Sequence, residues 1–455
     1  MAGAMADTSS KVHDDGPSSA EPATKPATPA ELDGLFFETI GAPEGRRDPY
    51  DRYRRLREAA PVHRTSVGFF VCTGYEECYT ALRDPRLGKG EGGREEQIRA
   101  RFGRLEVFPR LLELVTERRS LLFLNPPDHT RLRGLVSQAF TPRRVEQLRP
   151  EIAAVVDELC DAIPAGEVVD AMEALAYRLP IAVISKMLGV PASDWPRFRE
   201  VMGRATLLLE PVISDDEVEP ALEAQLELER YFGELVASRR GALGDDLLSA
   251  LIGVEEGTDK LTEVELIATV ILLFGAGFET TTNLIGNGLL ALLRHPQEMA
   301  RLRSDLALES AATGRRGGTR TRDRAAMRLA VDEMLRYDTP VQFDGRHAFA
   351  DLVLGGVTIP AGSEVVTVLG AANRDPARFS DPDRLDLRRD EGPSMSFAGG
   401  IHFCLGAALA RAEGQIVFER LLERFSSIEL ATDSPTYKNR ITLRGLSELP
   451  VVLSN

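Results

Sequence analysis

The chain has 455 residues, 43% hydrophobic and 27% charged, the proportions of a folded protein with a large core rather than a disordered or fibrous one. Acidic residues outnumber basic ones 70 to 55, giving a net charge of -15, which argues against a protein that wraps nucleic acid. The four cysteines (Cys72, Cys78, Cys160 and Cys404) show no C-x-x-C spacing, so neither a disulfide framework nor a structural zinc site is expected.

In chain order, residues 1–31 are rich in Ala, Ser, Thr, Pro and Asp and too poor in apolar side chains to offset their ordering entropy. A disordered leader is expected there, with folded sequence from Leu32 to the end, 32–455, as one domain. The leader has no apolar core of the signal-peptide type. Residues 62–73 (VHRTSVGFFVCT) read as a β-hairpin turning near Gly68. Helical periodicity then dominates, as in residues 151–163, 221–240, 262–295 and 405–425. Residues 310–328 form an Arg-rich insertion, with Arg315, Arg316, Arg320, Arg322, Arg324 and Arg328 among Gly and Thr; it reads as an exposed loop grading into a helix, or else as a docking patch for an acidic partner. Around 351–369, Gly355-Gly356 and Pro360-Ala361-Gly362 separate short β-branched runs, and residues 441–453 end the chain in strands again. The expected class is mainly α with small β-sheets (α+β), without internal repeats. No run reaches the ~18 apolar residues that span a bilayer, so no membrane anchor and a cytoplasmic setting are expected.

The longest helix, 262–295, opens on a capping box, Thr262 with Glu265, and Pro296 blocks its continuation. Thirty-odd residues at ~1.5 Å each reach across a whole molecule. Its apolar middle is followed by Gly275, Ala276, Gly277, Phe278, Glu279, Thr280, Thr281 and Thr282, a poor helix interior. A broken local rule in the middle of a core element is either a packing kink or a functional feature.

The strongest constellation is Phe397-Ala398-Gly399-Gly400-Ile401-His402-Phe403-Cys404-Leu405-Gly406, between a loop and a clear helix. A thiolate there faces free N–H groups and the positive end of the helix dipole, which favour the anion. The glycines let backbone approach closely, so amides can point at the sulfur and a flat cofactor can lie against the chain. These residues resemble the signature F-x-x-G-x-H-x-C-x-G of the haem-thiolate monooxygenases, the cytochrome P450 family, through Phe397, Gly400, His402, Cys404 and Gly406. Ala398 departs from it, since the family most often has Gly there. The resemblance implies the cytochrome P450 fold, with the long helix crossing its centre, and Cys404 as the axial ligand of haem b (iron protoporphyrin IX). A thiolate ligand favours O–O cleavage.

The other family motifs follow in order. A-G-x-[D/E]-T-[T/S] is matched by Ala276, Gly277, Phe278, Glu279, Thr280 and Thr281. By resemblance the small residues open a groove for dioxygen, Thr280 hydrogen-bonds it and Glu279 relays protons, an alcohol–carboxylate pair suited to a dry pocket. E-x-x-R is matched by Glu333 and Arg336, a structural pair that the family completes with an Arg of a later P-[E/D]-R segment, here Arg384. Partners for the haem propionates are implied at His129 and Arg133, within 125–133, at Arg346 and at His402; an unpaired buried carboxylate costs several kcal/mol. The matches cover nearly the whole chain and are closest to the soluble bacterial branch. The abundance of Arg, with Lys only six times in the chain, has the look of a GC-rich actinobacterial source.

The resemblance therefore implies a monooxygenase that inserts one atom of dioxygen into a hydrophobic small molecule, by hydroxylation or epoxidation. A secondary metabolite such as a polyketide or macrolide is the expected substrate. Electrons would come from a ferredoxin with its reductase, or a flavodoxin, since the chain carries no flavin or iron–sulfur motif. By family position, Leu207, Leu208, Phe274, Phe278, Val341 and Phe343 are candidates for the pocket wall, with core packing an equally good reading of each. Two alternatives stay open: a peroxide-driven haem-thiolate enzyme, against which Glu279-Thr280 argues, and a non-enzymatic haem sensor or binding protein.

Overall fold

The computed structural model describes residues 28–90, 98–99, 101–117, 120–210, 213–256, 259–312 and 325–455. Most of the expected leader lies outside the described residues. Ordered structure nevertheless starts before Leu32. Helix Pro29–Gly41 has Pro at its first position, and Thr28 and Glu31 close a full capping box. That polar signature ends the leader earlier than its composition indicated. The centre of the Arg-rich insertion, 313–324, is also outside the described residues; its flanks belong to helices Pro296–Ala312 and Ala325–Tyr337.

The hairpin forms as Val62–Arg64 against Phe70–Cys72, antiparallel, with Gly68 at φ +102° in the turn. It is one edge of a five-stranded sheet. Phe70–Cys72 runs parallel to Glu364–Val368, which pairs antiparallel with Phe343–Ala348, and Leu87–Gly88 closes the far edge. Gly355 and Gly356, at φ +54° and +79°, turn Leu352–Leu354 back onto Val357–Ile359. A smaller sheet orders Ser427–Leu430, Pro450–Ser454 and Val168–Asp170.

The rest is helical and is assembled around helix Glu263–Arg294, capped by the Thr262–Glu265 box. By length and composition it could cross a membrane, but it lies inside the fold. Every residue from Thr281 to Leu292 is buried. It packs against helices Arg178–Leu188, Asp215–Arg239, Ala325–Tyr337 and Ala407–Arg424. The glycines of its middle allow that packing. A Cβ on Gly275 would stand 2.5 Å from Met202 Cε, and one on Gly277 would stand 3.3 Å from Ile184 Cδ1. The absence of a side chain at Gly277 thus permits close contact with helix Arg178–Leu188.

Two buried polar knots tie distant segments to this body. In the first, the Tyr50 hydroxyl and Arg444 Nε both donate to Asp338 Oδ1, at 2.6 and 2.7 Å, while the Arg444 guanidinium also reaches the carbonyls of Arg46 and Arg47. The second is the E-x-x-R pair. Arg336 donates from Nε and Nη2 to the two oxygens of Glu333 at 2.6 and 2.8 Å, and from Nη1 to the carbonyls of Asn373 and Pro382 at 2.8 Å. Its third member corrects the sequence reading. The Arg384 side chain is 63% exposed and pairs with Asp386. The arginine on Glu333 is Arg389, 6% exposed, with Nε 3.2 Å from the carboxylate. Arg384 contributes its carbonyl, which accepts from Arg336 and Arg389.

Candidate active site

Cys404 lies two residues before Gly406, the N-cap of helix Ala407–Arg424. The loop that carries it folds back on itself: Cys404 N donates to Phe397 O at 3.1 Å, and Phe403 N to Gly400 O at 3.1 Å. Gly400 has φ +65°, and a Cβ there would meet Leu82 O at 2.1 Å, so only glycine lets the loop press on its neighbour. Ala398 also has positive φ, +54°, which explains why glycine suits that position. Gly406 stands beside the sulfur; a Cβ on it would be 3.9 Å from Sγ. Phe397 is half-buried beneath the Arg411 guanidinium, 4.4 Å from its ring centroid.

Burial pushes the Cys404 thiol up, against the pull of the Gly406 N–H, Arg133 and Arg411. The expected depression by the helix end is thus a partial offset, because desolvation of an anion outweighs it. A metal cation would reverse that balance, since thiolate coordination releases the proton.

Beside the loop, three distant segments converge. His129, from helix Asp128–Ala139, lies with its ring centroid 4.4 Å from that of His402. Arg133, one turn later, donates to Phe403 O at 2.7 Å. Arg346 comes from strand Phe343–Ala348 and donates from Nη1 to Asp344 Oδ1 at 2.6 Å. His129 Nε2, His402 Nε2 and Arg346 Nη2 are buried with no hydrogen-bond partner among the described residues. Burial, with Lys89, Arg346 and His129 nearby, pushes His402 down to about 3. Burial and Arg133 lower His129 as well. Burial disfavours the Asp344 carboxylate, but Lys89 and Arg346 overcome it and hold the group down to about 2. The cluster is thus electropositive, with donors left over. That suits an anionic group such as a porphyrin carboxylate.

On the central helix, Leu272, Leu273, Ala276, Gly277 and Thr280 form a partly open stripe between fully buried neighbours. Ala276 is its most open member. The Thr280 hydroxyl donates to Ala276 O at 2.6 Å, which leaves its lone pairs on offer. Glu279 is buried, and its Oε1 accepts from Lys438 Nζ at 2.6 Å.

A family model described as Cytochrome P450 matches residues 95–446. The chain belongs to the cytochrome P450 family. Cytochrome P450 107B1 of Saccharopolyspora erythraea is 40% identical over 412 residues, 89% of this chain and 95% of that one. The 6-deoxyerythronolide B hydroxylase of the same organism is 38% identical over 423 residues, 89% and 96% of the two chains. Among solved structures, ligand-free CYP164A2 of Mycobacterium smegmatis superposes with TM-score 0.78 at 38% identity, covering 92% of this chain and all of that one (100%). The protein is therefore a P450 monooxygenase with the P450 fold, and the family carries haem on a cysteine thiolate.

In this P450, several pocket-wall candidates turn elsewhere. Phe274 is fully buried against Phe198 and Phe232, with centroids 4.7 and 5.3 Å away. Phe278 is buried too and faces Tyr177 at 6.3 Å. Phe343 packs edge-on against Phe36 and Tyr53, inside the N-terminal cluster. Core packing is the better reading of all three. Val341 makes an isolated bridge to Leu443. Leu207 and Leu208 lie in the turn Thr206–Leu209, half-buried, Leu208 against the cluster of Phe102, Leu111 and Leu222 and Leu207 beside an outer cleft with Arg204 and Arg440. Sequence reasoning missed Asp344, Lys89, Lys438 and Arg389. Asp344 was findable, since it is two residues before Arg346 on one strand and so shares its face. The lysines carried no local signal.

Proposed function

We propose that this P450 oxidises a hydrophobic small molecule of the polyketide or macrolide type, with Cys404 as the iron ligand and His129, Arg133, Arg346 and His402 as the partners of the haem propionates. The observation that carries this reading is the convergence beside the cysteine loop of three buried nitrogens, His129 Nε2, His402 Nε2 and Arg346 Nη2, that have no partner among the described residues. When bound, haem supplies the activation of dioxygen and its transfer to substrate. The chain supplies the rest. Gly399 and Gly400 let the loop lie flat, and Phe397 and Gly406 flank the sulfur. Ala276 leaves room on the central helix. Thr280 Oγ1 accepts a hydrogen bond while its own proton stays on Ala276 O. Glu279 takes a proton from water at its carboxylate and passes it on.

Leu272 and Leu273 on the open stripe favour an apolar substrate. The relative named 6-deoxyerythronolide B hydroxylase gives the substrate class its precedent. Exposed Ile401 and Phe403, near Arg133 and Arg411, give a ferredoxin or flavodoxin an apolar spot rimmed by cations, suited to an acidic electron donor.

The test is the reduced protein under carbon monoxide. A red-displaced Soret band is expected, and C404S should lose it. Haem-reconstituted protein without that band would overturn the assignment. The substrate class is read from the spin-state titration of the ferric protein. Macrolactones should shift it; a preference for fatty acids or terpenes would refute the narrower claim.

A further inference from the structure

A cleft of about 620 Å³ opens between helix Trp195–Ala205, the start of helix Asp215–Arg239 and residues Asn439 and Arg440. Its size is that of an ordinary small-molecule site. Pro196, Arg199, Gly203 and Leu207 line it at steps of three and four residues, which is one face of the helix and of the turn after it. The opposite face of that helix packs inward. The Phe198 ring centroid is 4.7 Å from that of Phe274, and Met202 Cε occupies the space that a Cβ on Gly275 would need. The cleft thus lies across this helix from the central one.

The charges in the cleft do not cancel. Arg199 is paired with Glu173, and Glu217 closes the capping box at Ser214, whose N–H it accepts at 3.1 Å. Arg204 has only distant carboxylates, Glu200 at 3.9 Å and Glu227 at 4.0 Å, and Glu227 already accepts from Arg197 at 2.9 Å. The Glu200 side chain is 81% exposed, so water screens it. Arg440 donates to Gly203 O and has no carboxylate partner among the described residues. Arg204 Nε and Arg440 Nη1 are buried with no hydrogen-bond partner among those residues. Two guanidinium groups therefore meet at Gly203, partly desolvated and short of counter-charge, and partial desolvation strengthens their pull on an anion.

Arg440 is also held in place from its far side. Glu210, 4% exposed, accepts from the backbone N–H groups of Ile441, Thr442 and Leu443 at 2.9, 3.0 and 3.3 Å. Three amides on one buried carboxylate fix the backbone next to Arg440, so a ligand has little left to order.

We infer that this cleft binds a small organic anion, with a carboxylate or phosphate head on Arg204 and Arg440 and an apolar part against Pro196 and Leu207. The planar donor fork of arginine matches the oxygens of either head. One exposed ion pair would hold such a molecule weakly, but two guanidinium groups converging on one head hold it jointly. The site is separate from the cysteine loop and from the open stripe of the central helix, and it does not depend on the oxygenase reading.

Calorimetric titration of the haem-loaded protein with hexyl phosphate, hexanoate and hexanol tests it. At low ionic strength at least one of the two anions should bind about tenfold more tightly than hexanol, and added salt should weaken it. The tighter of the two identifies the head group. The ferric Soret band should stay where it is throughout; a shift that follows the binding curve puts the ligand in the haem pocket and overturns the site. R204Q and R440Q should each weaken anion binding several-fold, and the double variant should abolish it with the carbon monoxide band intact. E200Q should bind the anion more tightly than wild type, since it removes the carboxylate nearest Arg204, and a misfolded protein would not show that gain. Hexanol binding as tightly as both anions, undiminished affinity in the double variant, or no gain in E200Q overturns the inference. A missing carbon monoxide band in the wild-type protein would refute the oxygenase reading, and the titrations would still decide the cleft.

Discussion

Ala398 shows how one residue can be both legible and costly. Its φ of +54° places it in the left-handed region, where a side chain costs about 1–2 kcal/mol. The loop needs that conformation to bring Phe397 O over Cys404 N. Glycine there removes the strain but adds freedom to the unfolded chain, so the two effects partly cancel. A398G is expected to be more stable by about 0.5–1 kcal/mol in denaturant unfolding; a destabilised variant would show that the Ala methyl is held by packing instead. At Gly400 the case is steric, since any Cβ runs into Leu82 O.

Between elements, the E-x-x-R pair is a joint, and its members are not interchangeable. Glu333 is buried among Arg336, Arg389 and the Asp386 N–H, which donates to it at 2.9 Å. Removing Arg389 leaves a buried carboxylate short of one cation. R389A should cost about 2–4 kcal/mol in unfolding free energy, and R384A should stay within about 0.5 kcal/mol of wild type. Equal losses in the two variants would restore Arg384 to the joint. The motif spacing identified Glu333 and Arg336, because i and i+3 share a helix face. The third arginine could not be chosen that way. Arg384 and Arg389 lie in one irregular segment, and only its path decides which reaches the carboxylate.

At the scale of the molecule, the main core follows the central helix and helix Ala407–Arg424. Glu413, on the latter, is 1% exposed, and its Oε2 has no hydrogen-bond partner among the described residues. Burial raises it from 4.5 to about 8. Between those two pH values the folded chain holds a proton that the unfolded chain has lost. Stability therefore falls as pH rises across that window and levels off above it. E413Q, permanently neutral, should flatten this slope and gain about 1–3 kcal/mol at pH 8, with no gain at pH 5. Superimposable pH profiles of the two proteins would show that Glu413 does not titrate in this range.

The sequence by itself determined the local matters: the capped central helix, the hairpin at Gly68, the cysteine loop and the family to which they point. These rest on short-range rules of capping, turn chemistry and motif spacing, all of which act within a few residues. The tertiary structure alone decided which faces meet. Phe274, Phe278 and Phe343 went to core packing, because an apolar side chain is equally satisfied by a core or a pocket wall. Lys438, Glu210 and Arg389 found partners that no local pattern announces, since a charge carried into the interior pairs with whatever the fold brings within reach.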